Sequence, residues 1–506
     1  MRVRAQDVLT YHYNNARTGL NSSETILTPA NVNMATFGKL FTLPADSFVD
    51  GQPLYLSNLT IGGVATDLVI VPTEDASLYA YNADTGALVW HDTMLEAGEI
   101  VSGNRGCAAI SSEGITSTPV ILRPKTGDPV IYTVAMTEDS SGTYHQRLHA
   151  IDAITGRELY AGPVDIQAKY PGTGDNSSGG YVIFDPSQYR ERAGLLLIGH
   201  TVYLAFASHC DVRPYTGWIM GYNSQNLKQT TVLNLTPNGD EGGIWASGAG
   251  MSADAEGNIF LADGNGYFDT TLNASGFPSE GDYGNAFLKL ATTDGLAVAD
   301  YFEMYNQVGE NSQDLDLGSG GTVLVTPTDS SGKVWQLAVG AGKDTNIYVV
   351  DRTNMGKFTA ASNQIYQELK GVLPGGIWSM PAVYNGRIYY GPVGSPILAF
   401  KFQNAKLVAT PAAKTTTSFA YPGATPSISS NATTNGIVWA VENVGPEVLH
   451  AYNATNLQEI YNSNQASGGR DQFGAGNKFV TPTVANGKVY VPSATGVGVF
   501  GLLTAK

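Results

Sequence analysis

Leu78-Tyr-Ala-Tyr-Asn-Ala-Asp-Thr-Gly-Ala-Leu-Val-Trp90 and Leu148-His-Ala-Ile-Asp-Ala-Ile-Thr-Gly-Arg-Glu-Leu-Tyr160 are two copies of one pattern. Each is a short alternating strand, a polar turn carrying Asp or Gly, and a second strand. Period-2 alternation around such a turn is what a half-buried antiparallel hairpin requires. Weaker echoes begin at Ile219, Phe287, Ile347, Ile397 and Leu449. Internal repetition at this spacing governs the reading of everything else in the chain.

A second hairpin precedes each echo. These leading hairpins fall near 51–74, 114–136, 193–207, 249–263, 318–342, 376–393, 423–442 and 478–493. Asn385-Gly386 and Asn486-Gly487 favour the type I′ turn that joins paired strands. Eight leading hairpins meet only seven echoes, and the strand from Phe37 to Leu43 has no hairpin of its own. The economical solution is an all-β, eight-bladed β-propeller of four-stranded antiparallel blades. In it the N-terminal strand, residues 38–44, joins the C-terminal blade and closes the ring, which removes exposed sheet edges. Residues 1–506 are then one domain, with 1–37 as an N-terminal extension. The segments 165–192 and 264–286, rich in Gly, Ser, Asn and Asp, read as elaborated loops over one face.

Composition agrees. The 506 residues include 59 Gly and 27 Tyr, and only 14% are charged, which suits short strands and tight turns. A net charge of −16 argues against nucleic acid, whose phosphates call for clustered Lys and Arg. No apolar run of about 18 residues appears, so no membrane span is expected. The first seven residues, Met-Arg-Val-Arg-Ala-Gln-Asp, look like the remnant of an export signal, and export to the periplasm or the medium is the expectation. Seven Asn-X-Ser/Thr sequons, at Asn21, Asn58, Asn176, Asn234, Asn273, Asn431 and Asn453, carry little weight in so Asn- and Thr-rich a chain. The two cysteines, Cys107 and Cys210, cannot furnish a four-thiolate zinc site, and no haem-attachment motif occurs. They form either a single bridge or two separate buried thiols.

The repeat with its Asp-x-x-Thr-Gly turn followed by Trp or Tyr resembles the quinoprotein propellers, whose enzyme members are dehydrogenases using pyrroloquinoline quinone (PQQ). Four further stretches are similar to the site motifs of that family. Glu241-Gly-Gly-Ile-Trp245 resembles the segment whose tryptophan forms a floor beneath the quinone, and Asp263-Gly-Asn265-Gly the turn whose asparagine ligates calcium. Asp314-Leu-Asp316 is similar to the paired aspartates, of which the first is catalytic base and calcium ligand. Lys343, in Gly342-Lys343-Asp344, stands where the family sets a cation against the quinone oxygens. Ser208-His-Cys-Asp211 is a weaker match to a fifth motif, whose acid is another calcium ligand.

The resemblance implies Asp314 and Lys343 as catalytic residues, with Asp211, Asn265 and Asp314 as calcium ligands. Trp245, Arg105, Asp316 and Lys343 would be the PQQ contacts. The substrate would be an alcohol or a carbohydrate, and electrons would leave to a separate acceptor. Calcium suits this oxygen set, and Trp245 offers a flat surface for a planar ring.

The departures are also plain. Alcohol-type members carry two adjacent cysteines, whereas Asn104-Arg105-Gly106-Cys107 offers one. His209 and Cys210 replace two glycines, and a bridge between Cys107 and Cys210 at the central mouth would occupy space that a quinone needs. Three alternatives therefore stand beside the dehydrogenase: a propeller that has lost its cofactor, a non-catalytic propeller binding a glycan or protein, and a polysaccharide-active lyase or hydrolase. Residue by residue, Asp314 and Asp316 also read as turn acceptors, Lys343 as a surface partner of Asp344, and Asn265 as turn chemistry. Trp245 and Trp378, in near-identical Gly-Gly-Ile-Trp contexts, also read as repeated blade packing. His145 and His209 lack metal-ligand spacing and read as satisfied polar residues.

Overall fold

The computed structural model describes residues 6–107 and 111–504. Residues 1–5, most of the stretch expected to be the remnant of an export signal, lie outside them. Among the described residues the chain forms eight sheets, each built of at least four antiparallel strands, and one small three-stranded sheet. In chain order the eight span 54–93, 100–165, 189–234, 252–302, 323–369, 382–419, 427–462 and 483–502, here sheets I to VIII. Sheet I shows the unit: Leu54–Ile61, Val64–Pro72, Ser77–Asn82 and Leu88–Thr93 pair in simple succession. The last two of these strands are the first repeat quoted above.

The strand Phe37–Pro44 completes sheet VIII by pairing with Gly496–Leu502, as the sequence predicts. The Asn-Gly turns also hold. Asn385 and Gly386 (φ 46° and 69°) and Asn486 and Gly487 (φ 50° and 74°) adopt the left-handed backbone of a type I′ turn.

Alternation leaves each sheet apolar on both faces, and each face meets a neighbouring sheet. Val202, Leu204 and Trp218 of sheet III pack with Tyr132 and Leu148 of sheet II. Phe37, Val489 and Phe500 of sheet VIII pack with Trp439 and Leu449 of sheet VII. The last sheet also meets the first, since Tyr490 and Val499 share a core with Leu54, Tyr55 and Val69. This layering is that of a β-propeller.

Two expectations need correction. The segment 165–192 is more than a loop, because Lys169–Pro171, Ser177–Ser178 and Tyr181–Ile183 form the small sheet within it. The fourth strand of sheet V is Gln367–Leu369, well beyond the echo that begins at Ile347. Within the N-terminal extension, Val8 pairs with Tyr55 and Leu20–Asn21 runs parallel to Ser427–Asn431. Among the described residues no helix is long and apolar enough to cross a membrane.

Candidate functional site

Turns that follow or precede the strands of sheets II to VIII converge on a cavity of about 280 Å³, near the lower end of the roughly 300–1,000 Å³ usual for ligand pockets. Eight of the nine expected site residues line it: Cys107, Cys210, Asp211, Trp245, Asn265, Asp314, Asp316 and Lys343. They come from six stretches of the chain. The ninth, Arg105, is not among the lining side chains. Its guanidinium binds Glu113 Oε2 at 2.5 and 3.2 Å and lies 4.6 Å from the centre of the Tyr144 ring.

Local backbone explains how the side chains are aimed. Cys210, Asp211, Ser247, Asp314 and Phe479 all line the cavity with φ between 50° and 62°. Left-handed backbone at non-glycine residues costs roughly 1 kcal/mol or more each, and it collects where side-chain placement matters more than comfort. Glycines clear the space for the indoles. A Cβ on Gly264 would come 2.7 Å from Trp245, and one on Gly376 2.6 Å from Trp378. Both tryptophans therefore face the cavity, so the Gly-Gly-Ile-Trp echo marks a shared wall position in addition to packing.

Lys343 is the electrostatic centre. Its Nζ lies 2.5 Å from Asp314 Oδ1 and 2.7 Å from Asp316 Oδ1. Asp344, the partner its sequence position suggests, instead accepts bonds from Tyr348 and Asn346. Burial works against the charge on Lys343, but Asp316 and Asp314 hold its pKa above the ordinary lysine value. Burial pushes the Asp316 carboxyl up, with Lys343 opposing. Asn265 Nδ2 donates to Asp314 Oδ1 at 2.7 Å, and Tyr215 donates to Asp211 at 2.5 Å.

The donor set can be tested against a cation. Among the described residues no three His, Cys, Asp or Glu side chains come together as a metal centre would need. Asn265 Oδ1, however, is buried without a hydrogen-bond partner, and three carboxylates, Asp211, Asp314 and Asp316, share its cavity. An unsatisfied buried carbonyl oxygen beside carboxylates suits a hard, oxygen-seeking ion.

Cys107 and Cys210 are bridged, 103 residues apart, and the bridge forms part of the cavity wall. It does not fill the cavity. Beneath it, Glu113 receives His209 Nδ1 at 2.8 Å as well as Arg105, so His209 is satisfied, as expected. Burial alone would raise Glu113, but His209 and Arg105 bring it below the ordinary glutamate value.

Sequence reasoning missed Arg190, Arg192, Tyr421 and Phe479, which also line the cavity. Tyr421 stands edge-on to both Trp378 and Phe479, with ring centres 5.7 and 6.0 Å apart. The one available signal was Arg190-Glu-Arg192, three charged residues that end and follow the short strand Tyr189–Glu191 in a chain with few charges.

No protein-family model matches the chain, and no curated protein matches it in sequence. Solved structures do match in shape. A quinohemoprotein alcohol dehydrogenase from Comamonas testosteroni aligns with a TM-score of 0.62 at 14% identity, over 99% of this chain and 81% of its own. The quinohemoprotein alcohol dehydrogenase ADHIIG from Pseudomonas putida HK5 gives 0.65 at 13%, over 99% and 81%. A europium-containing methanol dehydrogenase gives 0.61 at 12%, over 97% and 90%. At such identities the likeness is one of architecture: the chain has the propeller fold of the quinoprotein alcohol and methanol dehydrogenases.

Proposed function

We propose that the chain is an exported quinoprotein-type dehydrogenase whose cavity takes PQQ with an oxygen-ligated metal ion and oxidises the hydroxyl of an alcohol or sugar. One observation carries this reading: five separated stretches that resemble the site motifs meet in one cavity. Asp211, Asn265 and Asp314 would hold the ion, calcium or, as in the europium-containing neighbour, a lanthanide. Trp245 gives a flat wall for the ring. When bound, the quinone supplies the two-electron acceptor for the hydride.

The chain's own contribution is to hold and take charge. Asp314 uses Oδ1 for both Lys343 and Asn265, so Oδ2 is left to receive the hydroxyl proton as general base. Lys343 stabilises negative charge that develops beside it. The chain's only two cysteines are bridged, which supports an oxidising compartment. Electrons would pass to a separate acceptor.

A second reading, a non-catalytic propeller that binds a glycan or protein, is favoured by the Cys107–Cys210 bridge in the cavity wall. One experiment separates the two. PQQ with calcium, and in parallel with europium, is added to purified protein, and the melting temperature and dye reduction with alcohols and sugars are followed. A ligand at 100 times its Kd stabilises by about 2.7 kcal/mol, so an upward shift with substrate-dependent dye reduction is expected. No shift at saturating PQQ with either ion would overturn the dehydrogenase and leave the binding propeller.

A further inference from the structure

Arg190 and Arg192 line the cavity although they are only 8% and 4% exposed. Their partners are unequal. Arg190 reaches Asp50 Oδ2 at 3.4 Å and Thr116 Oγ1 at 3.3 Å. Arg192 donates to two backbone carbonyls, Thr116 at 2.7 Å and Ser247 at 3.5 Å, and stands 5.3 Å from the Phe479 ring centre. Among the described residues no carboxylate comes within ion-pair distance of it. The backbone is cut away to admit it, since a Cβ on Gly248 (φ +86°) would lie 2.5 Å from Arg192 Nη1.

A buried guanidinium without a counter-ion is costly where nothing compensates it. Glu191, the acid between the two arginines in sequence, is a poor candidate for that role. Burial, opposed by Ser117 and the arginines, pushes its carboxyl up to about 8. Burial and the nearby Arg192 charge both lower Arg190. The Arg192 end of the cavity thus holds a guanidinium with no carboxylate paired to it, beside an aromatic wall.

We infer that Arg192, assisted by Arg190, is an anion subsite that receives a carboxylate of a flat aromatic polycarboxylic acid, whose ring lies against Phe479, Tyr421 and Trp378. The ring shape rests on the cofactor reading given under Proposed function; the charge argument stands without it. A charge-assisted, bidentate arginine–carboxylate contact replaces the missing counter-ion. Edge-to-face aromatics suit a planar guest.

The probe is benzene-1,3,5-tricarboxylate, which has no redox chemistry, compared with its trimethyl ester by titration calorimetry on the intact chain. The acid should bind at least about tenfold more tightly than the ester. Arg192→Gln should lose about tenfold or more for the acid and nothing for the ester, while Arg192→Lys keeps part of the preference. Ligand-free Arg192→Gln should melt no lower than the parent. Equal affinity for acid and ester, or no binding of the acid to the parent chain, overturns the subsite. So does an acid affinity unchanged in Arg192→Gln. The acid-to-ester ratio needs no variant, so a misfolded Arg192→Gln does not decide the matter. Dye reduction with PQQ in an Arg192→Gln protein of unchanged PQQ affinity would sink this inference and spare the dehydrogenase. Arg192-dependent tricarboxylate binding with no dye reduction would do the reverse.

Discussion

Lys343 joins two carboxylates of unlike exposure, and this makes its removal informative. Asp314 keeps about two-thirds of its side chain in solvent (66%), whereas Asp316 keeps 3%. Lys343→Met would strand Asp316 in the interior without its cation, a loss expected to cost about 3 kcal/mol. Urea unfolding measures this, and adding Asp316→Asn should restore most of the stability. A loss below about 1 kcal/mol would show that Asp316 is neutral or hydrated. Glu191 predicts a pH effect of definite sign. Its folded pKa of about 8 lies above the ordinary glutamate value of 4.5, so between those limits the folded state holds more protons than the unfolded. The stability associated with neutral Glu191 is complete below about 4.5 and is lost as pH rises toward 8. Glu191→Gln should therefore unfold like the parent at pH 4.5 and be the more stable by about 4 kcal/mol at pH 8; parallel stability–pH curves would refute this. At this scale the sequence was legible where a motif carried a residue, as with Asp314, Asn265 and Trp245. It was silent for Tyr421 and Phe479, because nothing local marks which residues face the axis, and for Arg192 it offered only the charged run Arg190-Glu-Arg192. For Lys343 only the reading as a partner of Asp344 misdirected, since Asp344 is engaged by Tyr348.

The loops bearing the two cysteines are tied twice. Arg105, two residues before Cys107, and His209, next to Cys210, grip one carboxylate, Glu113, which is 1% exposed. The bridge acts mainly on the unfolded chain, where closing a loop of about 100 residues is worth about 4 kcal/mol. Glu113 acts on the folded state. Replacing both cysteines by serine is thus expected to lower unfolding stability by 2–4 kcal/mol or so while the loops stay in place. Adding Glu113→Gln to that variant should cost about 1 kcal/mol more than it costs in the bridged chain, the signature of two groups holding one contact. Strict additivity in this cycle would mean that the two ties are independent. Strand elements were the most legible part of the sequence, since alternation and Asn-Gly turns are local signals. The small sheet around Tyr181–Ile183 escaped because two- and three-residue strands show no period. The Glu113 clasp escaped because its partners lie on either side of it in sequence, 8 residues before and 96 after.

On the scale of the whole molecule, residues 8–21 touch every sheet. Val8 pairs with Tyr55 of sheet I, and Leu9 O receives Ile121 N of sheet II. Asn15 donates to Leu197 O of sheet III, and its own carbonyl receives Ala253 N of sheet IV. Ala16, Thr18 and Gly19 accept from Leu324, Val383 and Ile428 of sheets V, VI and VII, and Asn21 donates to Val484 O of sheet VIII. Arg17, fully buried, fixes the turn through Thr10 Oγ1, Tyr11 O, Met251 O and Leu195 O at 2.6 to 3.2 Å. The repeats foretold sheets and the closing strand, but this segment lies outside the repeat and carries no alternation, so its role was illegible. Eight sheets joined only to their neighbours would open one at a time, whereas a segment bonded to all of them couples their openings. Arg17→Ala is accordingly expected to cost about 3 kcal/mol or more, through four unsatisfied acceptors and a cavity. Hydrogen exchange gives the sharper test. In that variant the first strands of all eight sheets should lose protection together, by a similar factor. Loss confined to sheets III and IV, whose carbonyls Arg17 contacts directly, would show that the segment is a local patch and that the ring is held by sheet-to-sheet packing alone.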